Sequence, residues 1–303
     1  MSDTYSKWHQ KSFYDCHYEC EDINSTGSTS GKPLFITEGI LMDKYSGSQM
    51  NFSDIEVPGS DELLILSLLM TLKALSTDQI GRFMRMKGRI VGKTMIVKLL
   101  KKMLGESLVE EYVMTRCCKD SDGNDKRKEV LRLYKTGRNG YYIAEQMGIK
   151  GYSPRRLYEI RNRYRNQMVH LITDYTWSQI VLGSLQSNEY MRWFSVDEIR
   201  FPNDMRPIFI PLTIQSENET CIFEYVETGY DWETMEIIKK YDEYARVSGR
   251  IFTLVLVLQR DHLYPLRSIR QISGHGNINI AFTSVSEWFS GNEAGIYRIS
   301  KVC

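Results

Sequence analysis

Between Asp61 and Leu75 apolar residues fall on nearly every face (Leu63, Leu64, Ile65, Leu66, Leu68, Leu69 and Leu72), which predicts a helix buried all round. Ser76 or Thr77 then caps a second, short helix that opens Thr77-Asp78-Gln79-Ile80 and ends near Met86, and Lys87-Gly88-Arg89 supplies a turn. From Val91 to Met103 the pattern divides cleanly at helical spacing. Met95, Ile96, Leu99, Leu100, Met103 and Leu104 make one predicted core stripe, opposite Thr94, Lys98, Lys101 and Lys102.

The period then changes. Leu108 to Cys118 alternates as a strand, Glu129 to Tyr134 reads as its antiparallel partner, and KDSDGNDKRK between them (Lys119 to Lys128) reads as a long polar tip. A short helix is expected over Tyr141 to Met147, and a long one from Ser153-Pro154 towards His170, with proline at its first position. From Met191 onward strand-like runs (Pro207 to Ile214, Cys221 to Thr228, Ile251 to Leu258) alternate with a helical stretch, Asp231 to Ala245.

Three helices followed by a charged hairpin is the plan of a winged helix-turn-helix. The expected class is therefore α+β: an acidic, partly disordered arm over residues 1–60, a winged-helix domain over 61–150, a helical connector over 151–188 and an α/β domain with a mixed sheet over 189–303. No stretch approaches the roughly 20 apolar residues of a membrane span. The amino terminus lacks a secretory pattern, and six cysteines without a regular framework suit a reducing cytoplasm. A cytoplasmic protein without a membrane partner is expected.

Charge adds what the whole-chain net charge of +1 conceals. Residues 1–62 hold 4 Lys/Arg against 11 Asp/Glu, residues 73–166 hold 23 against 10, and residues 189–243 hold 5 against 13. A basic block that coincides with a helix-turn-helix plan points to double-stranded DNA. Candidate contacts are Lys87, Arg89, Lys93, Thr94, Lys98, Lys101 and Lys102 from the second turn and third helix, with Lys126, Arg127 and Lys128 in the tip. Arg155 and Arg156 extend the set into the connector. Lysines are point charges that favour phosphates, so the third helix predicts affinity more than base readout.

Other chemistries are weaker. Gly92-Lys93-Thr94 ends like a phosphate-binding loop but has no buried strand before it. His9, Cys16, His17 and Cys20 match no common zinc spacing, and Asp120, Asp122 and Asp125 lack the closing glutamate of a calcium loop.

The order of pieces resembles the replication-relaxation family of bacterial plasmids and integrative elements, over roughly Leu63 to Leu258. The matching features are the winged helix, the arginine-rich connector ending NQMVHL at His170, Asp197-Glu198, PND with Asp204, FEYVETG with Glu224 and Glu227, and IKKYDEY with Lys239, Lys240 and Tyr244. The resemblance implies a restriction-endonuclease-like second half, similar to PD-(D/E)xK nucleases. Asp204 and Glu224 would then be the paired carboxylates, Glu198 on a preceding helix a third metal ligand, and Lys240 a displaced catalytic lysine, since Val226 stands where the motif has lysine. Mg²⁺ is expected only if that site is active, and otherwise no cofactor.

The implied role is a DNA-binding accessory protein of a mobile element, acting in plasmid replication, relaxation or conjugative transfer. Its nuclease-like half would serve interaction, with a relaxase or replication protein as partner and a homodimer as a plausible oligomer. The alternatives are a Mg²⁺-dependent endonuclease or nickase, and a transcriptional regulator or interaction scaffold.

Overall fold

A computed structural model describes residues 40–47, 57–119, 125–149, 167–187, 192–199, 208–215, 219–226, 231–258, 278–285 and 297–298. The chain is α+β, with a helix-rich amino-terminal region and a carboxy-terminal mixed sheet. It divides into two compact units, one spanning Thr37–Gly183 and the other containing Ser184–Cys303.

The first unit runs β1 (Ile40–Ser46), α1 (Ser60–Leu72), α2 (Thr77–Met86), α3 (Lys93–Gly105), β2 (Val109–Lys119), β3 (Asp125–Thr136), α4 (Arg138–Gln146) and α5 (Gln167–Ser187). Its helix ends follow from local chemistry. Ser76 caps α2 through a full box, its Oγ accepting from the Gln79 N–H at 3.2 Å while Gln79 Oε1 accepts from the Ser76 N–H at 2.9 Å. At the start of α1, Gly59 has no side chain to offer, and the Glu62 carboxylate accepts from its N–H at 2.6 Å. Gly88, at φ 76°, closes α2: its N–H donates to the Arg85 carbonyl and that of Arg89 to the Met84 carbonyl.

Lys73, which ends α1, has φ 70° and ψ −48°. The Ala74 N–H donates to the Leu72 carbonyl at 2.8 Å across it, a tight γ-turn of the strained hand. Leu75 then exchanges hydrogen bonds with Tyr134 and closes the far edge of β3.

The sheet order is β1-β2-β3, all antiparallel. β1 comes from the stretch read as an acidic arm, and its Ile40 lies opposite Arg116, at the basic end of the hairpin. A β-bulge interrupts β2–β3 between Met114 and Thr115, which locally increases twist before that basic end. Arg132 ties the hairpin together, with 2.8 Å to Glu111 and 2.6 Å to Glu129. The hydrogen bond from Arg132 holds the Glu129 carboxyl below its usual range. Desolvation, with the hydrogen bond to Glu111 second, pushes the Tyr134 phenol up to about 12.

Core packing joins α1, α2 and α3 to the hairpin: Ile65, Leu66, Leu69, Ile80, Met84, Ile96, Leu100, Met103, Leu108 and Leu133 are all sealed. α5 is buried on every described face, with Leu171, Ile172, Trp177, Ile180 and Val181 among its sealed residues. What reads in sequence as a connector is, from residue 167, a core helix of this unit through Gly183. It docks by polar contacts as well. Lys73 Nζ lies 3.4 Å from Asp174, Gln79 Nε2 donates to the Tyr175 carbonyl at 3.1 Å, and Ser178 Oγ, which donates within its helix to the Asp174 carbonyl at 2.9 Å, lies 3.3 Å from the Ala74 carbonyl oxygen.

α4 sits so close to the α3–β2 link that a Cβ on Gly140 would stand 2.1 Å from the Leu108 carbonyl oxygen, which is backbone and cannot swing aside. Gly140→Ala is therefore expected to destabilise the protein by about 1–3 kcal/mol through overpacking, read as a lower urea midpoint at unchanged slope. An unchanged midpoint would contradict this packing.

The second unit contains β4 (Arg192–Ile199), β5 (Ile208–Gln215), β6 (Thr220–Val226), α6 (Asp231–Ser248), β7 (Thr253–Leu258), β8 (Asn279–Ser284) and β9 (Tyr297–Arg298). They form one six-stranded sheet in sequence order, antiparallel from β4 to β6, parallel across β6–β7–β8 and antiparallel again at β9. The β6–α6–β7 crossover is what makes the middle parallel. Strand β7, TLVLVL, is buried along its whole length, as a central parallel strand should be. Ile238, Tyr241 and Ala245 of α6 pack with Phe252, Leu254 and Leu256. Among the described residues, no helix is long and apolar enough to cross a membrane.

Candidate nucleic-acid interface

Helix α3 buries Ile96, Leu100 and Met103, which recur at i, i+4 and i+7. Burying each contributes about 1.5–3 kcal/mol and sets the rotation of the helix. That rotation turns Thr94, Lys98 and Lys101 outward as one exposed row, with Lys93 exposed at the helix start and Lys87 in the preceding turn. Among the described residues, no acid forms an ion pair with Lys87, Lys93, Lys98 or Lys101. No acid occupies the first turn of α3, and its Gly92 N-cap offers no side chain.

Two of the sequence candidates on α3 and its preceding turn are tethered. Arg89 Nε lies 3.4 Å from Asp61, and Lys102 Nζ lies 3.2 Å from Glu62 and 3.9 Å from Glu106. Asp61 and Glu62 belong to the first turn of α1, where acids also suit the helix dipole. These pairs join α1 to α3 and its preceding turn, so the two cations have structural neighbours as well as exposed surface.

Met95 departs from the sequence expectation. It belongs to the predicted core stripe yet is 48 % exposed. The helix begins only at Lys93, so Met95 lies in the first turn, and the core is already reached by Ile96 on the next face. The hairpin departs as well. Lys126, Arg127 and Lys128 are not in a loop tip but on β3, opposite Cys118, Cys117 and Arg116. Backbone pairing extends to Lys119↔Asp125, because a ladder needs no apolar side chains where both faces are open to water. The outcome is a firmer platform, four cations (Arg116, Lys126, Arg127, Lys128) on paired strands, with Arg127 3.7 Å from Asp43 of β1. Arg155 and Arg156 lie outside the described residues.

In the second unit Glu224 is fully buried on β6, and the Tyr241 hydroxyl donates to its Oε2 at 2.6 Å. Val226, where the resemblance would put a lysine, is buried too. Lys240 lies half-buried on α6. Glu198 is a correction: it lies on strand β4, opposite Phe209, and not on a helix, because pairing along β5 from Arg192↔Gln215 to Ile199↔Ile208 overrides the local acidic sequence. Asp204 lies outside the described residues. Among the described residues, no cluster of three His, Cys, Asp or Glu side chains fits a metal ion. The Glu224 carboxylate is sealed, and its Oε2 accepts from a tyrosine, so by itself it gives Mg²⁺ little access. Tyr241→Phe would strip that donor from a buried carboxylate and is expected to cost about 1–3 kcal/mol in urea denaturation. A neutral result would mean that the pair is dispensable.

The molecule is thus an α+β chain with a cation-rich helix and hairpin in one unit and a sealed carboxylate in the sheet of the other. Comparisons with protein-family models, with curated proteins and with solved structures find no match for it.

Proposed function

We propose that the first unit is a winged helix that binds double-stranded DNA, with α3 in or along the major groove and the basic end of the β2–β3 hairpin against phosphates. The observation that carries this reading is the exposed row Thr94, Lys98 and Lys101, with Lys87 and Lys93 beside it and no acid pairing these lysines among the described residues. The basic end of the hairpin supports it. Cations arranged this way release counterions from a duplex, so affinity depends steeply on salt. A mobility-shift titration from low to physiological ionic strength tests it. The expected result is an affinity that falls linearly on a log–log plot, and salt-independent or absent binding overturns the reading.

The replication-relaxation likeness extends this to a setting: an accessory protein of a mobile element, acting beside a relaxase or replication protein. It rests on the order of sequence pieces. In that setting the second unit is a restriction-endonuclease-like domain used for interaction and not for cleavage. The enclosure of Glu224 by Tyr241 and the burial of Val226 at the lysine position favour that role over catalysis. Supercoiled plasmid incubated with Mg²⁺ is expected to remain intact. Nicking that disappears in both Asp204→Ala and Glu224→Ala would establish the endonuclease reading instead.

A further inference from the structure

The exposed face of α3 is not purely cationic. Met95 is 48 % exposed in its first turn, and Ile90 in the preceding turn is fully open to solvent. Both lie among cations: Lys87 and Arg89 before, Lys93 and Lys98 after. An apolar spot bordered by charge suits a protein interface as well, and what favours a nucleic acid is that the exposed side chains beside it are cations, in one row with Lys98 and Lys101. A duplex groove suits both features at once, since its walls are phosphate and its floor carries one apolar group, the thymine 5-methyl.

Position within the helix strengthens this. When a helix-turn-helix docks, the amino-terminal residues of its recognition helix reach base edges, while residues further along face the backbone. Thr94 and Met95 occupy that first turn, whereas Lys98 and Lys101 follow one and two turns later. The Thr94 hydroxyl can hydrogen-bond to any base and so carries little discrimination, and its methyl reaches less far than the Met95 side chain. Met95 is different: a long, unbranched and polarisable side chain that fills an irregular apolar contact well.

Resting on the DNA-binding reading above, we infer that Met95 is a specificity-determining residue that contacts a thymine 5-methyl group in the major groove. The favoured sites then contain thymine at a fixed position, and the lysines hold the backbone on either side. Affinity comes from Lys98 and Lys101, and preference from Met95.

The test uses the full chain. Random-sequence duplexes are selected by binding, and each thymine of the selected site is then replaced singly by deoxyuridine, which keeps the pairing and removes only the methyl. Wild type is expected to lose about fourfold at one thymine, the effect of exposing one buried methyl-sized group. Met95→Ala, a change at an exposed position, is expected to bind the thymine and uracil duplexes alike, and Met95→Leu to recover most of the discrimination. Lys98→Ala should weaken both duplexes equally. Salt-dependent binding that ignores uracil at every position overturns this inference and leaves the DNA reading standing. A uracil effect that persists in Met95→Ala overturns it as well. Absence of duplex binding at low salt overturns both.

Discussion

Lys73→Met is expected to destabilise the protein by about 3–5 kcal/mol, the largest effect of any single substitution considered. The side chains of Lys73 and Asp174 are only 7% and 9% exposed, and their charged atoms lie 3.4 Å apart. Methionine fills most of the lysine volume but leaves the buried carboxylate of Asp174 without its cation. Water cannot replace the lysine in so closed a place, so the desolvation penalty falls on the folded state. The position matters for a second reason. Lys73 holds a strained γ-turn between α1 and α2, while Asp174 sits on α5, so the ion pair fixes the turn to the core helix. Urea denaturation measures the loss. Lys73→Met with Asp174→Leu should recover most of it, because a matched apolar pair no longer buries a lone charge. A cost below about 1 kcal/mol for the single variant would mean that the pair is solvated, as at a surface.

Lys98→Ala combined with Lys101→Ala is expected to lower duplex affinity about a hundredfold, roughly tenfold per phosphate contact. The slope of log affinity against log salt should fall by about two, because each lysine releases about one counterion. Both side chains are exposed, so the fold should be untouched, and an unchanged urea midpoint is the control. Lys128→Ala on the hairpin should also reduce the slope, and Arg127→Ala less so, since Arg127 lies 3.7 Å from Asp43. Lys102→Ala should do so less, since its ammonium is engaged by Glu62 and Glu106. Loss of affinity without a change in slope would assign the lysines to something other than phosphates.

The local chemistry of the first unit was legible before any coordinates. A cap at Ser76 or Thr77, the turn at Gly88 and the 3.6-residue recurrence of Ile96, Leu100 and Met103 are all short-range, and short-range preferences are written in neighbouring residues, whereas the reciprocal box with Gln79 appears only in the fold. The charge map was legible for the same reason, and so was the alternation that leads to a mixed sheet. Chain order placed the row Thr94, Lys98 and Lys101 opposite the apolar stripe, and the fold keeps it exposed.

Long-range packing was not legible. That β1 would leave the arm to pair with β2, and that residues from 167 would join the first unit as a buried helix, depends on partners more than 60 positions away. Periodicity cannot name such partners, and a helix that is apolar all round carries no direction towards its neighbours. Likewise, the acidic run holding Glu198 became a strand because β5 pairs with it, and Lys126 to Lys128 became strand because the ladder continued past the apolar positions. Met95 makes the same point on one helix. Its spacing matched the core stripe, but where α3 begins, and therefore which residue of that stripe meets water, is set by the whole unit closing around Ile96, Leu100 and Met103.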